Sequence, residues 1–410
     1  MAGQKAHEYV DKNLENAILS EAVLGSSLRT IPALNFPLNF YVSWMSKAIL
    51  YLEDGTTFVG QRLSTTGETS GEVVFNTSLT GYQEILTDPS YAGQIVVMTY
   101  PLIGNYGVNE EDVESNKIHV KGFIVKEFCR TYSNYRATQS LIDYLDQNKI
   151  IALEGIDTRA LTRLLRVKGA MKAIISTEDF DPKSLAEKIK KVPSMEGADW
   201  VKEVTTKEKY VWKAEGGRPQ YKVAAIDCGI KFNILRILSQ SGCEIHVFPA
   251  DASFKEIEAI KPDGLFISNG PGDPAVITYT IDTIRKSLGK MPIFGICLGH
   301  QMMGLALGGK TFKLKFGHHG GNHPVKDALG NRIGITCQNH GFCVDIDSLK
   351  KEDVEMIDFN LNDQTLEGMR HKKYPVLSFQ HHPEASPGPH DAQYLFKYFI
   401  EMMENNAATR

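Results

Sequence analysis

The chain has no CxxC pair and no regular cysteine spacing; Cys129, Cys228, Cys243, Cys297, Cys337 and Cys343 are scattered. That excludes a disulfide framework and reads as reduced thiols in a cytoplasmic protein. No uninterrupted apolar run approaches the roughly 18 residues needed to span a bilayer. An excess of one charge is missing too. Lys and Arg number 45 against 49 Asp and Glu, and the net charge of −4 offers no footprint for nucleic acid or an anionic membrane surface. Residues 1–44 lack both a basic segment with an apolar core and an Arg/Ser-rich, acid-poor stretch; Asp11, Glu15 and Glu21 argue against a transit peptide. What is present is ordinary for a globular protein, with 42% apolar and 23% charged residues. At 410 residues, two domains are expected.

The first domain is expected over residues 46–195 as mixed β/α structure. Ala48 to Glu53 and Thr57 to Leu63 flank Asp54-Gly55, a strong hairpin signal. Glu72 to Phe75, Gln94 to Tyr100 and Ile118 to Val125 also read as strands. Helices are predicted near Ser140 to Gln147, from an Asp157 cap to just before Gly169, and over Pro182 to Lys191. The polar stretch 196–220 reads as a linker. From Tyr221 to the C-terminus, apolar runs at 223–226, 244–248, 264–268 and 292–296 alternate with helix-length segments at 230–240, 254–260, 276–288 and 298–307. This is βαβ grammar: an α/β fold with a doubly wound, mostly parallel sheet.

Within that grammar, Gly295-Ile296-Cys297-Leu298-Gly299 falls where a strand turns into a helix. It has the form of a nucleophile elbow with sulfur in place of oxygen. The helix N-terminus favours thiolate over thiol. Near the C-terminus, Gln380-His381-His382-Pro383-Glu384 follows the strand-like run Val376 to Phe379. A histidine on such a loop can act as a base for the thiol, and a carboxylate two residues on can orient the imidazole. The loop Asn269–Pro274 and the Cys297 elbow both follow strands at their C-terminal ends, the edge where such sheets bind ligands.

Three segments, GICLGHQ at 295–301, HPEASPGPHD at 382–391 and Ser268-Asn269-Gly270-Pro271-Gly272-Asp273-Pro274, together resemble the class I triad-type glutamine amidotransferases. The stretches Gly71 to Tyr91 and Phe316 to Val325 resemble the small-subunit family of the carbamoyl phosphate synthetases. The resemblance runs from about Ser46 to about Met403, so residues 1–45 are expected to be a disordered N-terminal extension, with Met45 as the biological start. It implies a catalytic triad of Cys297, His382 and Glu384, and glutamine contacts from Ser90, Gly270, Gly272, Leu298, Gln301, Asn339, Gly341 and Phe342. Cys297 would attack the glutamine amide, forming a γ-glutamyl thioester, and the released ammonia would pass to a large subunit. That partner would bind ATP and Mg and make carbamoyl phosphate for arginine and pyrimidine synthesis. No cofactor is expected in this chain, and the first domain is the expected docking surface for the large subunit. His381 stands where the family more often has a small or aromatic residue.

Two other patterns invite readings that the context opposes. Gly304 to Thr311 fits G-x-x-x-x-G-K-[ST], but a helix-like run precedes it and a strand-like run follows, the reverse of a phosphate-binding loop. His318, His319 and His323 are expected in a Gly-rich turn without nearby carboxylates, and His381, His382 and His390 belong to the catalytic segment, so no metal is expected. Alternatives to the glutaminase subunit are an amidotransferase subunit of another synthase, a binding subunit that has kept the fold, and a γ-glutamyl peptidase.

Overall fold

The computed structural model describes residues 46–214, 219–327 and 332–408. The expected N-terminal extension, and residues 215–218 of the expected linker, lie outside the described residues. No helix among the described residues is long and apolar enough to cross a membrane.

The first half closes a β-barrel. Strands β1 (Ser46–Leu52) and β2 (Thr57–Arg62) pair antiparallel around Asp54-Gly55, from Tyr51↔Thr57 to Ser46↔Arg62. β3 (Glu68–Asn76) is followed by helix α1 (Tyr82–Thr87), β4 (Gln94–Met98), the short strand β5 (Leu102–Ile103), β6 (Gly122–Ile124) and the short strand β7 (Glu127–Phe128). Next come α2 (Leu141–Gln147), β8 (Ala152–Glu154), α3 (Thr158–Lys168), β9 (Met171–Ser176) and α4 (Pro182–Ile189). The barrel order is β1-β2-β8-β6-β4-β3-β9, while β5 pairs only with β7. Asp157 caps α3 as expected, its carboxylate accepting the Ala160 N–H at 2.8 Å. The strands that close the barrel, β8 and β9, were not expected from the sequence. β8 has only three residues and β9 follows directly on a helix, so neither shows a run with its own turn signals.

The second half is built on one ten-stranded sheet. The segment expected as a linker carries α5 (Val201–Val204) and β10 (Tyr210–Trp212), the latter an edge strand antiparallel to β12 (Cys243–Pro249). The expected parallel sheet runs β12-β11-β13-β14-β19, with β11 at Tyr221–Asp227, β13 at Gly264–Ile267, β14 at Ile293–Ile296 and β19 at Val376–Phe379. It continues in antiparallel register through β18 (Leu366–His371), β17 (Val354–Asn360), β15 (Lys310–Asp327) and β16 (Ile333–Asp345). Helices α6 (Phe232–Gln240), α7 (Phe254–Ala259), α8 (Thr278–Ser287), α9 (Leu298–Ala306) and α10 (Leu395–Ala408) complete the chain. Two apolar clusters lie in this half, one around Ile226, Leu265, Ile293 and Met302, the other around Ala225, Phe266, Phe294 and Phe399. Alternate residues along the same strands, such as Ala225 and Ile226 or Leu265 and Phe266, thus supply two cores, as a sheet covered on both faces requires.

The histidines expected in a turn lie instead within the long strand β15. Gly317 and Gly320 sit there at positive φ, and the ladder with β16 slips between Lys313 and His318 and again between Gly320 and His323. Helix α9 precedes Lys310 and β15 follows, so the G-x-x-x-x-G-K-T stretch has the order opposite to a phosphate loop.

Candidate active site

Cys297 stands between β14 and α9 with φ 54° and ψ −105°, a conformation that costs of order 1–3 kcal/mol for a non-glycine residue. Its flanking glycines are sterically required. A Cβ on Gly295 would lie 2.4 Å from Met303 Sδ, and one on Gly299 would lie 2.3 Å from the Ile267 carbonyl oxygen. Cys297 is 1% exposed. Burial, followed by the nearby Asp88 and Glu384 carboxylates, pushes its pKa well above the ordinary value, against the Leu298 N–H and Lys231. The expected preference for thiolate is therefore reversed in the resting site. The helix terminus is present, but desolvation outweighs it. The thiol donates to the Asn339 carbonyl at 3.6 Å and accepts from Gln380 Nε2 at 3.7 Å.

His382 and Glu384 are both buried on the loop after β19, the ring Nδ1 lying 2.6 Å from Glu384 Oε1. With Nδ1–H directed at the carboxylate, Nε2 keeps its lone pair, and that atom is buried without a hydrogen-bond partner. The His382 N–H donates to the Cys337 carbonyl at 2.9 Å, which ties the loop to β16. Lys231, absent from the sequence-based candidates, completes the arrangement. Its Nζ reaches Glu384 Oε1 at 2.9 Å and the Ala385 carbonyl at 2.5 Å, with its side chain 2% exposed. Burial would raise the Glu384 pKa, but Lys231 and His382 pull it down to about 2. Burial would lower that of Lys231, but Glu384, Asp88 and Glu114 hold it above its ordinary value. The pair is ionised. Its only sequence signal is a lysine just after the first parallel strand of a buried sheet.

The Cys297 side chain opens on a cleft between barrel and sheet. Of the expected glutamine contacts, Ser90, Gly270, Gly272, Gln301, Asn339, Gly341 and Phe342 line this cleft. Leu298 lies buried behind the nucleophile and does not line it. Asn269 Nδ2 donates to Ser90 Oγ at 3.0 Å, and Asn339 Nδ2 to Asp88 Oδ2 at 2.9 Å, so polar contacts join the barrel to the sheet at the cleft. Gln301 Nε2 donates to the Phe342 carbonyl at 2.8 Å and to Gln380 Oε1 at 3.1 Å. A Cβ on Gly270 would lie 2.0 Å from the Cys228 carbonyl oxygen, so only glycine lets that loop lie against β11. The lining also includes Glu72, Gln94, Met195, His319 and His340, none of them among the expected glutamine contacts.

The expectation that His318 lacks a nearby carboxylate is overturned. Its Nε2 lies 2.7 Å from Asp363 Oδ2 and its Nδ1 3.9 Å from Glu367 Oε1. Both acids come from residues beyond β16, about 45 or more positions away in sequence, and no local pattern announces them.

Residues 50–175 match the family model described as carbamoyl-phosphate synthase small chain, CPSase domain, and residues 224–402 match glutamine amidotransferase class-I. The carbamoyl phosphate synthase small chain of Syntrophotalea carbinolica is 57% identical over 371 residues, covering 88% of this chain and 98% of that one. The protein of the same name from Aquifex aeolicus is 54% identical over 367 residues, covering 87% of this chain and 99% of that one. That of Nitratidesulfovibrio vulgaris Hildenborough is 52% identical over 376 residues, covering 88% and 99%. Two family models that divide between the barrel half and the sheet half, with likeness at this level along nearly the full relatives, place the chain in the carbamoyl phosphate synthase small chain family.

Proposed function

We propose that this chain is the glutaminase subunit of a carbamoyl phosphate synthase, hydrolysing glutamine and delivering ammonia to a large subunit. The observation that carries the chemistry is the buried Lys231–Glu384–His382 array beside a thiol at the floor of a polar cleft. An amide is a poor electrophile, so the reaction needs a strong nucleophile, donors for the oxyanion and a proton for the leaving nitrogen.

The resting thiol is neutral, so attack is coupled to proton transfer. Glutamine entering the cleft displaces the Sγ–H contact with the Asn339 carbonyl, and the proton passes to His382 Nε2. The sulfur bonds to the amide carbon. The Leu298 N–H, at the start of α9, and an N–H of the Gly270–Gly272 loop stabilise the oxyanion. His382 returns its proton to the nitrogen, the C–N bond breaks, and ammonia leaves a γ-glutamyl thioester. Water, deprotonated by His382, then cleaves the thioester to glutamate and restores the thiol. Glu384 keeps Nδ1 protonated and stabilises the imidazolium, while Lys231 keeps Glu384 anionic through both half-reactions. Ser90, Gln301, Asn339, Gly341 and Phe342 bind the glutamine.

The large subunit, with its ATP and Mg, is the expected partner, and the barrel half is its docking side. The test is glutamate release by wild type and by Cys297→Ser, each with and without a large chain from a relative. Activity that rises with the partner and is lost on substitution supports the reading. A wild type inactive even with the partner favours a binding subunit.

A further inference from the structure

At the edge of the cleft, where His340 lines it, lies a second buried polar cluster that the hydrolysis does not use. One nitrogen of His318 on β15, one nitrogen of His340 on β16 and one carboxylate oxygen of Glu367 on β18 lie within 4.8 Å of one another, and all three residues are buried. Glu367 Oε1 accepts from Gln338 Nε2 at 2.9 Å and from Asn360 Nδ2 at 2.8 Å. His318 Nδ1 has no hydrogen-bond partner although His318 is 6% exposed, and Glu367 Oε2, on a fully buried residue, has only His381 Nδ1 at 3.6 Å, beyond hydrogen-bond length. Buried polar atoms are rarely left so, and the His318 nitrogen beside a loosely held carboxylate oxygen points to a missing partner.

The ring partners say what kind of partner is missing. His318 directs Nε2–H at Asp363 Oδ2, 2.7 Å away, so its Nδ1 lone pair faces Glu367. His340 directs Nδ1–H at the Phe342 carbonyl, 2.7 Å away, so its Nε2 lone pair faces Gln338 Oε1 at 2.8 Å. Two acceptors confront each other there. Turning the Gln338 amide only moves the conflict, because its oxygen would then face the Glu367 carboxylate. Each ring has its outer N–H fixed by a carboxylate or carbonyl, the arrangement that metal-ligating histidines adopt. Two neutral imidazoles and one carboxylate are a zinc donor set.

We propose that His318 Nδ1, His340 Nε2 and the Glu367 carboxylate bind a divalent cation of the zinc class, with the fourth place open to Gln338 Oε1 or water. The separation of 3.9 Å between His318 Nδ1 and Glu367 Oε1 is a little wider than ligands about 2.1 Å from a tetrahedral ion require. Small side-chain rotations close it. The ion is structural. It ties β15, β16 and β18 together and so fixes the Asn339–Phe342 stretch that lines the cleft.

The test is metal content by mass spectrometry of tag-free, chelator-free protein, followed by Co²⁺ exchange and visible absorption. About one equivalent of zinc and a tetrahedral Co²⁺ spectrum are expected, with addition of metal to stripped protein raising Tm. Glu367→Gln and His318→Ala lose the ion, while a substitution at the exposed His390, His390→Ala, keeps it. Folded wild type that takes up no stoichiometric Zn²⁺ or Co²⁺ overturns the proposal, as does uptake unchanged in Glu367→Gln. Should the variants fail to fold, the wild-type Co²⁺ spectrum and the Tm shift decide alone.

Discussion

Glu384 Oε1 serves two partners at once, His382 Nδ1 at 2.6 Å and Lys231 Nζ at 2.9 Å. Its folded pKa of about 2 lies below the ordinary 4.5. The stabilisation is therefore fully present above about pH 4.5 and is lost as pH falls through about 2, a contribution of about 3 kcal/mol. Lys231→Met removes the cation and leaves a buried carboxylate uncompensated. We expect a loss of about 3–5 kcal/mol in urea denaturation. Glu384 then titrates higher, so the acid limb of the glutaminase pH profile moves to higher pH; an unmoved limb in a folded variant would contradict the role given to Lys231. Glu384→Gln keeps the shape but lets His382 adopt the wrong tautomer, and kcat is expected to fall at least about 100-fold in steady-state assays.

At the scale of the element, the elbow is a strand, a strained residue and a helix that share no spare volume. Gly299→Ala would put a methyl 2.3 Å from the Ile267 carbonyl, and backbone cannot move aside as a side chain can. The expected cost is about 1–3 kcal/mol in the urea midpoint, with kcat falling because α9 and Cys297 shift together. This element was legible in the sequence because its requirements are contiguous: a short apolar run, two glycines and a helix-forming run. The His382–Glu384 spacing and the parallel strands were legible for the same reason. Lys231 meets Glu384 across 153 positions, and Asp88 meets Asn339 across 251. No periodicity carries such pairings, so the cation of the array and the Asp88 clamp had to come from the fold. Closure of the barrel is set by pairing, and the three residues of β8 hold too little pattern to show it, while the six of β9 follow a helix within two residues.

At the scale of the molecule, the cleft belongs to neither half alone. Glu114, from the barrel half, accepts the Asn233 N–H at 2.9 Å and pairs with Arg236 at 3.2 Å, while Asn233 Nδ2 donates to the Glu384 carbonyl at 2.6 Å. The barrel therefore steadies the start of α6 beside Lys231, one contact away from the triad. Ser90→Ala removes a cleft hydroxyl held by Asn269 without touching the nucleophile. If that hydroxyl binds glutamine equally in ground and transition states, KM rises about ten-fold and kcat stays within about two-fold. A fall in kcat at unchanged KM would give Ser90 a different part.

The central claim is that Cys297 carries the glutamyl group. The most direct measurement is acid quenching of the protein during turnover of glutamine, followed by peptide mass mapping. A γ-glutamyl adduct is expected on the peptide containing Cys297, absent in Cys297→Ser. An adduct on Cys228 or Cys337 instead, or glutamate formed at the wild-type rate by Cys297→Ser, would contradict it.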